Sequence, residues 1–332
     1  MDNKHLENFS RWIKSKGLSS KIPTDIDILK KLSILDLTKA KLRELPESIC
    51  HLPNLTVLKL SGNRLTKLPE NIGNLKKLRN LQCENNLIEE LPLSIGELES
   101  LVILNLNGNK LTQLPDEFFK LTKLTRLTIA ANSLECISEK LINLKSLLYF
   151  SLDTNKLKEL PEVFENMSSL YYLDLSYNNL TKLPNSLSEI EELETLLLEG
   201  NEILNLPSLE SHDMLIKLNI SYNSINKIDF DLSKLEDLQL LNLDNNNLEY
   251  IPETVCDLEK LNCLSVSANN LKELPKCIGK LQNLLELDID ENSIKEFPPS
   301  FYDLKKLKTL YIDENDGLEN PKLPSLEFCD LD

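Results

Sequence analysis

A pattern of leucine and asparagine residues, L-x-x-L-x-L-x-x-N-x-L, returns thirteen times along this chain of 332 residues. Its first position recurs every 23 residues, apart from one step of 22 residues between Leu193 and Leu215. The first positions are Leu32, Leu55, Leu78, Leu101, Leu124, Leu147, Leu170, Leu193, Leu215, Leu238, Leu261, Leu284 and Leu307. A fixed period of this length indicates one structural unit stacked on copies of itself, so the chain needs no single central core.

The first half of each repeat has the pattern of a short strand. In the repeat that begins at Leu55, Leu58 and Leu60 alternate with Val57 and Lys59. This alternation predicts a strand with one buried face and one exposed face. Because each repeat contributes one such strand, the strands of successive repeats are expected to pair in parallel.

The second half of each repeat follows L-P-x-x-I-x-x-L, as in Leu68, Pro69, Ile72 and Leu75. Proline suits the first turn of a helix, because the N–H that it lacks would need no partner there. The spacing of three residues then predicts a short helical or 3-10 segment. The sequence therefore predicts an α/β solenoid, with about 13 to 14 short parallel strands on a concave face and a thin convex side of helical turns.

Asparagine follows the strand in twelve of the thirteen repeats, and the first repeat has Ala40 instead. A buried asparagine side chain both donates and accepts hydrogen bonds, so it can satisfy backbone groups of the turn. The positions are Asn63, Asn86, Asn109, Asn132, Asn155, Asn178, Asn201, Asn223, Asn246, Asn269, Asn292 and Asn315.

Both ends of the repeat array are expected to carry caps, because a terminal repeat would otherwise expose its core. Leu6, Phe9 and Ile13, with the single tryptophan Trp12, have helical spacing, which predicts a capping helix over residues 3–16. A strand near residues 325–329 is expected to close the other end. We therefore predict a cap over 1–31, thirteen repeats over 32–322, and a capping strand with its tail over 323–332.

Two repeats lack the proline of the helical segment and have Ser138 and Asp229 in its place. The repeat of 22 residues lies next to the second of them. These departures predict irregular stacking between residues 205 and 235.

Charge and cysteine content limit the classes of partner and compartment. The formal charge is −16, from 37 basic and 53 acidic side chains, which disfavours nucleic acid and anionic membranes as partners. The chain has no apolar run of the ~18–20 residues that a membrane span needs, and its start lacks the apolar core of a signal peptide. Seven cysteines without a C-x-x-C pair favour a reducing, cytoplasmic location.

The repeat over residues 22–329 resembles the leucine-rich repeat superfamily, in its 23-residue form LxxLxLxxNxLxxLPxxIxxLxx. Within that superfamily it is similar to the intracellular Ras-group repeats. The resemblance implies a right-handed horseshoe that binds proteins, in some cases small GTPases. The composition and the lack of an appended domain also resemble Legionella-like repeat effectors, which implies delivery into a host cell by a route independent of a signal peptide.

Motifs of common catalytic and nucleotide sites, such as GxxxxGK[ST], GxSxG and HExxH, do not occur. His5, His51 and His212 lie in different parts of the chain, so we expect exposed histidines that do not converge on a metal. Cys263 falls on the predicted concave face, and no histidine lies in repeats 10 to 12 to activate it. We therefore expect no catalytic residues, no metal site and no cofactor.

Tyrosines and carboxylates on the exposed side of the strands form the candidate site. Exposed aromatic side chains on a rigid sheet are typical binding anchors. The predicted anchors, from repeats 6 to 9, are Tyr149, Tyr172, Tyr177, Leu197 and Tyr222. The predicted acidic members are Asp153, Asp174, Glu199, Asp244, Asp288 and Asp290. The alternatives are that single exposed tyrosines have no special role and that the acids form a solvated strip, rather than a Ca²⁺ or acid–base site.

The charge of the exposed positions also changes along the chain. Repeats 1–5 carry Lys39, Lys59, Arg79 and Arg126 against two acids, a net charge of +2. Repeats 6–13 carry eleven acids against two bases, a net charge of −9. This asymmetry favours a partner with a basic or mixed-charge surface.

The leading hypothesis is a monomeric, non-enzymatic module that binds one protein on its concave face, with a small GTPase as the first candidate partner. One alternative is a GTPase-activating protein, which would need an exposed arginine such as Arg79 or Arg126. Another alternative is a ubiquitin-ligase adaptor.

Overall fold

A computed structural model describes residues 3–330, and the chain divides into two compact units, Met1–Leu157 and Lys158–Asp332. Both units contain short parallel strands that follow one another in sequence order. Fourteen strands occur in the described residues, six in the first unit and eight in the second, as the repeat pattern predicts. The predicted division into cap, thirteen repeats and terminal strand stays a prediction, and its residues 1–2 and 331–332 lie outside the described residues.

The first unit begins with two helices and continues with six strands. The helices are α1 (Lys4–Ser15) and α2 (Ile26–Leu29). The strands are β1 (Ile34–Asp36), β2 (Val57–Lys59), β3 (Asn80–Gln82), β4 (Ile103–Asn105), β5 (Arg126–Thr128) and β6 (Tyr149–Ser151). The 3-10 helices that follow the first five strands are Glu47–His51, Ile72–Asn74, Leu93–Glu97, Asp116–Lys120 and Glu139–Asn143.

The second unit has the same alternation of strand and 3-10 helix. Its strands are β7 (Tyr172–Asp174), β8 (Thr195–Leu197), β9 (Lys217–Asn219), β10 (Leu240–Asn242), β11 (Cys263–Ser265), β12 (Glu286–Asp288), β13 (Thr309–Tyr311) and β14 (Phe328–Asp330). Its 3-10 helices are Phe164–Asn166, Asn185–Glu189, Leu232–Lys234, Glu253–Asp257, Ile278–Lys280 and Pro299–Asp303. The strand predicted near residues 325–329 is confirmed as β14.

Register follows the repeat, because equivalent positions of neighbouring strands pair directly. Leu35 pairs with Leu58 in the first unit, and Leu241 pairs with Leu264 in the second. These leucines are almost fully buried, so the central residue of the strand points into the core and its two neighbours point to the other face. The exposed residues of successive strands therefore stand side by side at about 4.8 Å.

The asparagines after the strands form a buried ladder of hydrogen bonds. Asn86 is an example: its Nδ2 donates to Leu60 O at 3.0 Å and to Cys83 O at 2.9 Å. Its Oδ1 accepts from the N–H of Leu65 at 3.0 Å. Each of these bonds gives a partner to a backbone group that strand pairing leaves unsatisfied. The predicted role of this asparagine is confirmed.

The predicted capping helix is confirmed as α1, which packs on the 3-10 helix Glu47–His51. Phe9 and Ile13 are fully buried, and Trp12 is half-buried with its ring 5.7 Å from that of Phe9. The expectation that the histidines lie apart is wrong at this end of the chain. In the cap, the ring of His5 stacks on that of His51, with ring centroids 3.6 Å apart.

The 22-residue repeat is irregular, as predicted, since the described residues between β8 and β9 contain no 3-10 helix. Here His212 is fully buried, which corrects the expectation that it is exposed. Its Nδ1 lies 3.1 Å from Leu209 O and its Nε2 lies 3.2 Å from Leu187 O. Burial lowers the pKa of this imidazole. His212 stands three residues before Leu215, a position that neighbouring repeats fill with the buried Ile190 and Leu235, so the imidazole takes the place of a core aliphatic side chain.

One disulfide bond, which the sequence analysis did not predict, joins Cys256 to Cys277 in the second unit. Cys256 lies in the 3-10 helix Glu253–Asp257, and Cys277 precedes the next one, Ile278–Lys280. The bond therefore ties two neighbouring repeats on the side that carries the helical turns.

Candidate functional site

The residue before each of the twelve ladder asparagines has a left-handed backbone, as does Lys39 before Ala40, with φ between 50° and 68°. We call this position the turn slot. Glycine, asparagine and alanine fill it in seven repeats, and the other six have Lys39, Thr154, Tyr177, Tyr222, Glu291 and Glu314, of which the two tyrosines are the aromatic residues. A bulky side chain at positive φ costs about 1 kcal/mol or more, so these two tyrosines are not the choice that folding favours.

Gly200 fills the turn slot between the two tyrosines, and its lack of a side chain makes room for the ring of Tyr177. A Cβ atom at Gly200 would stand 2.6 Å from Cδ1 of that ring. The Tyr177 hydroxyl donates to Oε1 of Glu199, and Oε2 of the same carboxylate accepts from Asn219 Nδ2 at 3.0 Å. The hydrogen bond to Glu199 raises the pKa of Tyr177 to about 12, so the phenol is protonated at neutral pH.

Both tyrosines remain largely open to solvent despite these contacts. Tyr177 is 52% exposed and Tyr222 is 56% exposed. Their rings therefore present apolar faces to a partner, while the contact with Glu199 holds Tyr177 in one orientation.

The strands β7 and β8 carry three further predicted residues. Tyr172 and Asp174 lie on β7, and the Tyr172 hydroxyl donates to Asp174 Oδ2 at 3.4 Å. Asp174 pairs in register with Leu197 on β8, and both side chains are half-buried. The structure therefore gathers Tyr172, Asp174 and Leu197 on the exposed face of two adjacent strands.

Asp244 and Asp288 are joined through the hydroxyl of Ser265, which stands between them on β11. Ser265 Oγ lies 2.6 Å from Asp244 Oδ1 and 3.3 Å from Asp288 Oδ2. Burial, together with the negative charges of Asp244 and Glu286, raises the pKa of Asp288 to about 6. A protonated Asp288 can donate to Ser265, whose own proton then goes to Asp244.

The predicted acid Asp290 has a backbone partner, since its Oδ1 accepts from the N–H of Asp313 at 2.7 Å. Asp244 likewise accepts from the N–H of Ser267 at 2.8 Å. These carboxylates therefore stabilise turns of the next repeat as well as adding negative charge to the exposed face.

Tyr149 and Asp153 belong to the first unit. The guanidinium carbon of Arg126 lies 3.7 Å from the centre of the Tyr149 ring, a cation–π contact. Asp153 accepts from Ser151 Oγ at 2.7 Å and from Thr154 Oγ1 at 3.2 Å. Arg126 is thus held against a neighbouring ring in the first unit.

Cys263 lies half-buried on the exposed face, where sequence reasoning expected no activated nucleophile. Burial raises the pKa of its thiol to about 11, and the carboxylates of Glu286, Asp244 and Asp288 act in the same direction. The thiol is therefore protonated and weakly nucleophilic at neutral pH.

Among residues 3–330, one group of three side chains could offer metal ligands: Glu253, Cys256 and Cys277. The two sulfur atoms of this group are joined in the disulfide bond.

Sequence reasoning missed three residues that shape the site: Gly200, Asn219 and Ser265. Gly200 could have been found, because a glycine between two tyrosines in the same slot indicates space for a ring. The roles of Asn219 and Ser265 depend on side-chain distances that the repeat pattern does not contain.

Three family profiles match the repeats. The profile described as "Leucine-rich repeat region" covers residues 5–85 and 70–147. "Leucine rich repeat" covers 152–203 and 259–316, and "Leucine Rich Repeat" covers 237–258. The chain belongs to the leucine-rich repeat family. A search of curated protein sequences finds no significant match to this leucine-rich repeat protein.

Solved structures similar to this leucine-rich repeat protein come from bacteria and plants. A leucine-rich repeat protein of Leptospira interrogans is 30% identical with a TM-score of 0.82, over 94% of this chain and 92% of that chain. The functional domain of InlJ from Listeria monocytogenes, which includes a cysteine ladder, is 26% identical with a TM-score of 0.72, over 83% and 57%. The plant peptide hormone receptor RGFR1 in complex with RGF2 is 26% identical with a TM-score of 0.57, over 93% and 65%.

Leucine-rich repeat proteins are generally non-enzymatic binding modules, and the fold of this chain suggests a protein–protein interaction module. No helix within residues 3–330 has the length and apolar character that crossing a membrane requires.

Proposed function

We propose that this leucine-rich repeat protein is a non-enzymatic module that binds a protein or peptide on the exposed strand face of its second unit. The observation that carries the proposal is the pair Tyr177 and Tyr222. Both tyrosines are more than half exposed, and both occupy a left-handed backbone position that favours glycine. More than half of each residue stays exposed in the folded chain, so burial alone does not account for an aromatic residue at these positions.

Backbone strain supports a role in binding. Strained positions persist where the surrounding fold enforces them, and they concentrate at binding sites. Here the asparagine ladder enforces the turn, and the tyrosines add strain without adding core contacts. Tyrosine is enriched among residues that anchor interfaces, because its ring gives a large contact area with few rotatable bonds.

Charge indicates the chemistry of the partner. Carboxylates of Asp174, Glu199, Asp244, Asp288 and Asp290 lie on the same face of the second unit as the tyrosines. A partner segment with lysine or arginine residues beside an apolar side chain would complement this face. Such charges mainly accelerate association, whereas the buried anchors slow dissociation.

A small GTPase is the first partner to test, because of the resemblance to Ras-group repeats. A host-cell signalling protein is the corresponding candidate if the chain acts as a bacterial effector in the cytoplasm of a host cell. A peptide is a further candidate, since the plant receptor among the similar structures holds RGF2. We propose binding rather than activation of a GTPase, because Arg126 is engaged with the Tyr149 ring and Arg79 belongs to the first unit, outside the proposed tyrosine face.

The proposal is tested by measuring the affinity of the chain for purified small GTPases and for basic peptides with one aromatic residue. Tyr222→Ala and Tyr177→Ala are expected to weaken binding about tenfold or more. The matched controls are Tyr250→Ala and Tyr302→Ala, since these tyrosines are 52% and 51% exposed in the same unit but lie outside the turn slot. Binding that is lost in the controls and kept in the turn-slot variants would overturn the proposed surface.

A further inference from the structure

A surface pocket of about 390 Å³ opens in the first unit. Its lining contains three cationic side chains and two hydroxyls, and no carboxylate. The lining residues are Thr56, Lys77, Arg79, Ser100, Val102 and Lys123.

The repeat places these residues in two rows where the chain enters the strands. Thr56, Arg79 and Val102 stand one residue before β2, β3 and β4. Lys77 and Ser100 stand three residues before β3 and β4, and Lys123 has the same position before β5. Because neighbouring strands lie about 4.8 Å apart, Lys77 and Lys123 flank Ser100 at a separation of roughly two strand spacings.

The charges of the pocket are not neutralised within the first unit. Among the described residues, neither Arg79 nor Lys123 forms an ion pair, and Lys77 Nζ donates to the neutral Asn54 Oδ1 at 2.7 Å. Nearby lysines behave differently, since Lys76 pairs with Glu97 at 3.2 Å. Three cations without acidic partners are unusual in a chain whose net charge is −16.

We propose that this pocket binds a phosphate group. The guanidinium of Arg79 can hold two oxygens of a tetrahedral anion side by side, and the two lysines add point charges on either side. The Ser100 hydroxyl can donate to a third oxygen, whereas that of Thr56 already donates to Ser33 O at 3.0 Å. Side chains must provide the donors to the phosphate, because the backbone N–H groups of Arg79 and Val102 already donate to carbonyls of neighbouring repeats.

Two sources can supply the same phosphate group: free inorganic phosphate, or a phosphorylated serine of a protein. The pocket is open at the surface and its cations are exposed, so a phosphate on a flexible peptide can reach it. A phosphoserine peptide and inorganic phosphate are therefore compared directly.

The experiment follows backbone amide and arginine side-chain NMR shifts of the full chain as phosphate is added at constant ionic strength. We expect saturable shifts centred on Thr56, Arg79 and Ser100, with half-saturation in the millimolar range for so exposed a site. Arg79→Gln and Lys123→Gln are each expected to weaken binding about five- to tenfold. The control Lys110→Gln removes the same charge from an exposed site outside the pocket and should leave the affinity unchanged.

The outcomes separate the possible sources. Tighter binding of the phosphoserine peptide than of inorganic phosphate, lost on dephosphorylation, would identify a protein-borne phosphate. Equal affinity for both would identify phosphate itself as the ligand. Shift changes that do not saturate would show general charge screening and overturn the proposed site. An equal loss of affinity in Arg79→Gln and Lys110→Gln would do the same.

Discussion

The two units of the molecule share one scaffold and differ in what they expose. Asn86 in the first unit and Asn246 in the second make the same three hydrogen bonds, at distances between 2.9 and 3.0 Å. The exposed positions diverge, because the first unit carries the unpaired Arg79 and the second carries Asp288 and Tyr222. The shared hydrogen bonds therefore lie at buried positions of the repeat, and the proposed binding residues lie at exposed or half-exposed ones.

This separation explains how a repeat can acquire a binding face without loss of fold. The buried leucines and asparagines fix the strand, the turn and the register. The exposed residues of the strand and the turn slot are then free to vary, within the limit that the turn slot keeps a left-handed backbone. Tyr177 and Tyr222 occupy this slot, and their side chains strain the backbone there.

The largest expected difference between the units is the response to a reductant. The Cys256–Cys277 bond closes a loop with a sequence separation of 21 residues, which corresponds to about 3 kcal/mol in the free energy of unfolding. Urea unfolding of the oxidised and the reduced chain, monitored by hydrogen exchange, should show that reduction lowers stability by this amount in β10 to β12. The first unit should be unaffected. Cys256→Ala/Cys277→Ala should be insensitive to the reductant. A reductant that leaves the wild-type transition unchanged would show that the bond does not form.

The asparagine ladder is expected to contribute equally in both units. Asn86→Ala and Asn246→Ala each leave buried backbone groups without partners and should lower the free energy of unfolding by about 2 kcal/mol. Asn247→Ala, at an exposed position, should change it by less than about 0.5 kcal/mol. Urea denaturation of the three variants measures this directly. A large difference between Asn86→Ala and Asn246→Ala would contradict a shared scaffold.

The smallest expected effect is a pH dependence confined to the second unit. The folded pKa of Asp288, about 6, lies above the ordinary value of 3.8, so the folded state binds more protons between these pH values. The stability that Asp288 contributes should therefore fall as pH rises from about 4 to 6. Asp288→Asn should raise stability at pH 7 by about 1 kcal/mol, a figure reduced for partial exposure. An unchanged profile in thermal unfolding between pH 4 and 7 would contradict this assignment.

The repeat pattern was sufficient to predict the strands, the ladder and both caps, because these features depend on spacing alone. Leu58 and Asn63 recur at fixed intervals, and burial of one side chain per strand follows from period-two geometry. The features that were missed depend on departures from the repeat. Cys256 and Cys277 occupy different positions of neighbouring repeats, so a search for equal positions does not pair them.

His212 and the turn slot show the same limit at two other places. His212 is buried because it occupies the repeat position of Ile190 and Leu235, and the one-residue deletion in this repeat obscured that register in the sequence. The left-handed backbone beneath Tyr177 and Tyr222 is not indicated by the tyrosines themselves, and only the glycines and asparagines at the same slot of other repeats indicate it. The identity of the partner, the cytoplasmic location and the monomeric state stay predictions, since none of them follows from spacing.

The central claim is that the exposed face of the second unit binds a partner at the expense of local stability. Tyr222→Gly tests it most directly, because glycine relieves the left-handed strain and removes the anchor at once. The account predicts an unfolding free energy that is unchanged or raised by up to about 1 kcal/mol, together with a partner affinity at least about tenfold weaker. In the same titration, Ile34→Ala, at an exposed position of the first unit, should bind normally. Full affinity in Tyr222→Gly with weakened binding in Ile34→Ala would contradict the account.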